Sequence, residues 1–143
     1  MIVSGEVPNE YVEAAKFYAS KLMDGRLVRH LNVEIVLDNS LPYAGKCCSD
    51  DDHSKPRYFL IHLNPNAPGD HVLQALAHEM VHVKQYATGE LFDFMNGWVS
   101  WKGQKFQMLG NDCDEYESYP WEKMAYDLEE SLFEDWLSIE ILE

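Results

Sequence analysis

Hydrophobic positions along the chain change their period four times, and each change marks an expected element. In "EYVEAAKFYASKLM" Val12, Ala15, Ala19, Leu22 and Met23 recur near helical spacing, which predicts an amphipathic helix after Pro8-Asn9, closed by Asp24-Gly25. "LNVEIVLDN" (31–39) alternates and is rich in β-branched residues, so it predicts a strand that stops at "NSLPYAG". Residues 46–56, including Asp50, Asp51 and Asp52, are polar and turn-prone and read as a solvated loop. "RYFLIHLNP" (57–65) carries the strongest strand signal, with Tyr58, Leu60 and His62 on one face and Phe59, Ile61 and Leu63 on the other. After the breakers "NPNAPG", Asp70 suits the N-cap of a helix from about His71 to Thr88 that ends at Gly89. Leu73, Leu76, Ala77, Met80 and Val83 or Lys84 form its expected inward stripe.

Beyond that helix, "GWVSWKGQKFQM" alternates around Lys102-Gly103 and predicts a hairpin or an irregular edge strand. An acidic, aromatic loop then leads to Pro120, a residue suited to the first turn of a last helix from about Trp121 to Leu142. The order of elements predicts one α+β domain over residues 1–143, with a short antiparallel or mixed sheet packed on the 71–88 helix and a helix near each terminus.

Composition permits this. At 143 residues and 46% apolar content, a domain buries about 70% of its unfolded surface. Lysine and arginine number 11 against 25 acidic residues, a net charge of −14, which repels phosphate backbones and anionic lipid. Neither nucleic acid nor a membrane is therefore expected as a partner. No run of about 18 apolar residues occurs, and the first ten residues lack a basic segment followed by an apolar one, so a cytoplasmic, monomeric protein is expected. Cys47, Cys48 and Cys113 are odd in number, two of them adjacent, and are read as reduced thiols.

The chemistry lies in "LAHEMVHVKQY" (76–86). His78 and His82 are four residues apart, so on a helix their imidazoles face one point, while Glu79 sits about 100° further round, within reach of a water held by a metal there. Apolar Leu76, Ala77, Met80 and Val81 flank the motif and would keep such a site dry. Zinc needs a third protein ligand. The position six residues after His82 is Thr88 and no histidine follows His82, which leaves His30, His53, His62 and His71 upstream or a downstream carboxylate. Most of those carboxylates suit a solvated acidic surface. Glu122 differs, because it opens a largely apolar helix and shares a face with Ala125, whose small side chain would allow close approach to the histidines; Glu129, two turns on, is the fallback.

"HEMVH", followed some forty residues later by "PWEKMAY", resembles the small gluzincin-type zinc metallopeptidases, including minigluzincins and ImmA/IrrE-like peptidases, with their H-E-x-x-H and E-x-x-A motifs. "WKGQKF" is similar to small phage-encoded members, and the likeness spans roughly residues 57–130. It implies a zincin-like fold and a zinc-dependent endopeptidase in the cytoplasm of a bacterium or phage-infected host. One Zn²⁺ would be held by His78, His82 and Glu122, with Glu79 as catalytic base and a peptide or protein as substrate. An extended substrate is expected along an edge strand near Tyr58, Leu60 and His62. Larger gluzincins have an aspartate four residues after the ligating glutamate to orient a zinc histidine; here that residue is Tyr126, and the orienting groups are unassigned. Tyr116, Tyr119 and Tyr126 are candidate oxyanion stabilisers. The rival readings are a zinc-binding regulatory or interaction module with little or no peptidase activity and, from the charge alone, an acidic mimic of nucleic acid or partner of a basic protein.

Overall fold

The computed structural model of the protein describes residues 1–51, 54–67, 71–108 and 118–142. The proposed cap Asp70, His53, Cys113, Tyr116 and most of the acidic loop lie outside the described residues. In chain order the elements are β1 (Ile2–Ser4), α1 (Asn9–Leu22), α2 (Gly25–Val28), β2 (Asn32–Leu37), β3 (Gly45–Ser49), β4 (Tyr58–Leu63), α3 (Val72–Ala87), β5 (Leu91–Asp93), β6 (Trp98–Trp101), β7 (Gln104–Gln107) and α4 (Pro120–Leu142). Helices and two small sheets make a mixed α+β fold, as the order of patterns predicted. No helix among the described residues is long and apolar enough to cross a membrane.

The larger sheet has the order β1-β2-β4-β3, with β1, β2 and β4 parallel and β3 antiparallel. Alternation in β4 sorts its residues as predicted: Phe59, Ile61 and Leu63 are at most 2% exposed and join Val33 and Ile35 of β2 in the core. Each such side chain contributes roughly 1.5–3 kcal/mol by burial. Helices α1 and α3 supply the opposite wall through Ala15, Tyr18, Leu73, Leu76 and Met80, and the Tyr18 hydroxyl donates to the Leu73 carbonyl at 2.8 Å.

Two strand expectations are corrected. β4 is not an edge, because β2 pairs along one side of it and β3 along the other. Its Tyr58, Leu60 and His62 alternate with the core residues and therefore face away from α3. The edge beside β4 is β3, mostly in the stretch 46–56 read as solvated loop: "GKCCS" lacks the apolar alternation of a half-buried strand and is held by its register with β4, Gly45 opposite Leu63 and Cys47 opposite Ile61.

α3 also starts differently from expectation. His71 is its N-cap, with Nδ1 accepting from the Leu73 N–H at 3.1 Å. The helix is buried nearly all round, beyond the expected stripe, because the sheet, α1 and α4 all cover it. Arg57 Nη1 donates to the Ala87 carbonyl at 2.9 Å, tying the C-terminal end of α3 to the start of β4.

The hairpin β6–β7 forms as predicted, with Lys102 (φ 50°) and Gly103 (φ 86°) as the two positive-φ residues of a primed turn. It joins β5, which the sequence reading did not anticipate, in a three-stranded antiparallel sheet. Leu91, Val99 and Trp101 of this sheet enclose Trp121 and so anchor the first turn of α4, with Tyr86 and Met124 packing against both this cluster and the main core.

Candidate metal centre

Helix periodicity places His78 and His82 on one face of α3, and the anchoring of Trp121 brings the next residue, Glu122, against that face. Ala125, one turn along α4, is fully buried where the two helices meet, which is the close approach its size suggested. His78 Nε2 lies 3.0 Å from Glu122 Oε1, and His82 Nε2 lies 3.0 Å from Glu122 Oε2. One potential ligand atom from each of the three residues falls within 4.8 Å of the others, a group able to hold a metal ion. His78, His82 and Glu122 are 9%, 6% and 2% exposed, so an ion there would be shielded from bulk water.

The far nitrogens of the two imidazoles are also held. His78 Nδ1 is 3.1 Å from Glu129 Oε1, and His82 Nδ1 is 2.8 Å from Gln85 Oε1. Gln85 is fully buried, and its Nε2 donates to the Trp121 carbonyl at 2.9 Å. That bond fixes the amide: its NH₂ faces a carbonyl that can only accept, which leaves Oε1 as the acceptor for a His82 Nδ1–H. Glu129 acts likewise on His78. When deprotonated, the state metal ligation requires, both imidazoles are thereby set in the tautomer whose Nε2 lone pair faces the ligand group; when protonated, their Nε2–H groups donate to Glu122.

These are the orienting groups missing from the sequence reading. Glu129, the fallback ligand, stands behind His78 and outside the ligand group, seven residues after Glu122 and so nearly on the same helical face. Gln85 was missed entirely. The available signal was its position, three residues after His82 on a helix with a buried face. The position four residues after Glu122 holds Tyr126, whose ring meets the His78 ring edge-on at 4.7 Å. Tyr119 instead stacks on Trp121 at 4.7 Å.

Electrostatics follow from this burial. Desolvation alone would push the His78 and His82 imidazoles down, but hydrogen bonds to Glu122, and for His78 also to Glu129, outweigh it and hold both above the usual imidazole range. Burial likewise opposes ionisation of Glu122, yet its bonds to His78 and His82 pull it below the usual carboxylate range. Glu79 is 5% exposed, and burial raises its carboxyl, the charges of His82 and His78 offsetting only part of the effect. A raised carboxyl is a stronger proton acceptor than a solvated one.

β3 lies directly on Glu79. A Cβ at Gly45 would stand 3.0 Å from Leu63 Cδ2, 3.1 Å from the His62 carbonyl oxygen and 3.3 Å from Glu79 Cγ, so glycine is what lets the edge strand approach this closely. The face of β3 that carries Gly45 is thus against the candidate base, and β3 is an end strand of its sheet. Comparison with protein-family models, with curated proteins and with solved structures returns no match to this chain.

Proposed function

We propose that the protein is a zinc-dependent peptidase, with His78, His82 and Glu122 as the metal ligands and Glu79 as the base. The reading is carried by the pairing of Nε2 of both histidines with one buried carboxylate while Glu129 and Gln85 hold their Nδ1 atoms. A donor set of two imidazoles and one carboxylate fits a zinc site that keeps a position open, and it matches the resemblance to the small gluzincin-type peptidases. When bound, zinc would supply Lewis acidity, polarising a peptide carbonyl and making a water more acidic. Glu79 accepts the proton of the attacking water and returns it to the departing amine. The substrate is a peptide in extended form, pairing its backbone with the free edge of β3, which brings a scissile bond past Glu79. A zinc-holding module without activity has the acidic surface in its favour, but the lack of an orienting aspartate no longer speaks for it, since Glu129 and Gln85 stand behind the two histidines.

The test is cleavage of unfolded casein by zinc-loaded protein. Glu79→Gln is expected to keep one zinc per chain and to lose at least about a hundredfold in rate, the usual contribution of a positioned acid–base group. His78→Ala is expected to lose the zinc. Cleavage by Glu79→Gln at the rate of the unaltered chain would refute the mechanism, and a zinc-loaded chain inert toward unfolded proteins would refute the peptidase reading.

A further inference from the structure

A groove of about 380 Å³ separates β3 from β5, each the end strand of its sheet. Cys47 lines it from β3, Tyr86 from α3, and Phe92, Asp93 and Phe94 from β5 and the turn after it, with Asp51 beyond the end of β3. The groove neighbours the candidate metal centre, sharing the elements α3 and β3 with it. Tyr86 stands one turn after His82 on the same helical face, and Cys47, opposite core residue Ile61, points to the α3 side of the sheet, where it feels the charge of Glu79.

Its walls combine aromatic rings with carboxylates. Phe92 and Phe94 meet edge-to-face at 4.8 Å, and Lys105 Nζ already lies 5.5 Å from the centre of the Phe94 ring, so this cluster attracts a cation within the chain itself. Asp51 Oδ2 accepts from the Arg57 N–H at 3.0 Å, while its Oδ1 is buried and meets no donor among the described residues. Asp93 Oδ1 accepts from the Met95 N–H at 2.8 Å. The two carboxylates stand in a chain of net charge −14, a setting that repels acidic side chains and favours a cation with an apolar stem.

We propose that this groove is the specificity subsite of the peptidase and takes a lysine or arginine side chain of the substrate, its stem against Tyr86 and Phe92 and its charged head at Asp93 and Asp51. The assignment rests on the peptidase reading for the word substrate, but peptide binding tests it without cleavage.

Zinc-loaded Glu79→Gln protein is titrated by calorimetry with a set of blocked peptides that differ at one scanned position, carrying Lys, Arg, norleucine or Glu. At one position Lys and Arg are expected to bind about tenfold more tightly than norleucine, from cation–π contact and a partly desolvated ion pair together. Asp51→Asn with Asp93→Asn keeps a side-chain oxygen to accept from each of the Arg57 and Met95 N–H groups and removes both charges; it is expected to cut that preference to about twofold while leaving the norleucine peptide unchanged. Asp135→Asn, on the exposed side of α4, controls for net charge and should leave the preference intact. Equal binding of Lys and norleucine peptides at every position, or a preference that survives the double substitution in protein with an unaltered circular dichroism spectrum, overturns the proposal. A basic preference lost in the double variant, in a protein that cleaves nothing, upholds the groove and sinks the peptidase reading. Cleavage without any basic preference does the reverse.

Discussion

Gln85 offers the sharpest test of how the site is built, because one buried amide joins a candidate metal-binding histidine to the backbone of the helix that carries the candidate third ligand. Gln85→Leu removes the acceptor of the His82 Nδ1–H, which is then buried without a partner, and the second donor to the Trp121 carbonyl, which keeps its place in the hydrogen-bond ladder of α4. Leaving one buried polar group unsatisfied costs about 1–3 kcal/mol, and loss of the second bond to the Trp121 carbonyl adds about 0.5–1.5 kcal/mol before relaxation. Part of that falls on stability. The rest falls on zinc, because His82 is then free to rotate or to place its proton on Nε2, and loss of such a supporting bond lowers metal affinity about 10- to 100-fold. Competition against a chromophoric chelator measures the affinity, and thermal unfolding of the metal-free protein measures the stability. Gln85→Glu separates the two: a carboxylate still accepts from His82, so zinc affinity should remain within a few-fold, but it cannot donate to the Trp121 carbonyl, and stability should fall. If Gln85→Leu folds and binds zinc within about twofold of the unaltered protein, the tautomer argument is wrong.

Two further outcomes follow from the same geometry. Gly45→Ala should leave zinc stoichiometry unchanged by elemental analysis and slow cleavage about three- to tenfold, since a Cβ 3.3 Å from Glu79 Cγ moves the candidate base by a few tenths of an ångström. Stabilisation by zinc should grow with pH. In the metal-free protein the raised His78 and His82 give stability that is full below the usual imidazole range, about 6.5, and is lost as pH rises through their higher folded-state values. The lowered Glu122 gives stability that is full above the usual carboxylate range and is lost as pH falls through its folded-state value. Zinc needs both imidazoles deprotonated, so the rise in Tm on adding zinc should be larger at pH 8 than at pH 6, and an equal or smaller rise would count against His78 and His82 as ligands.

What could be read from the sequence was what local periodicity controls. The four-residue spacing of His78 and His82 is a property of any helix, and the apolar residues around them required that helix to be buried. The small Ala125 beside Glu122 on an apolar helix made the approach of Glu122 to the two histidines legible. Lys102-Gly103 between alternating residues specified a hairpin, and strict alternation in Tyr58–Leu63 separated core from outer face. Tertiary structure decided everything that depends on which strands and helices meet. β3 is a polar edge strand, stabilised by backbone pairing with β4 more than by a buried face, so it left no hydrophobic signature, and its position at the sheet edge follows from a register set by β4. Gln85 and Glu129 are an ordinary glutamine and one acidic residue among many until α3 and α4 pack together, because a hydrogen bond behind an imidazole is a contact between helices far apart in the chain. The groove between β3 and β5 belongs to neither sheet's own pattern and exists only where the two sheets meet across Tyr86.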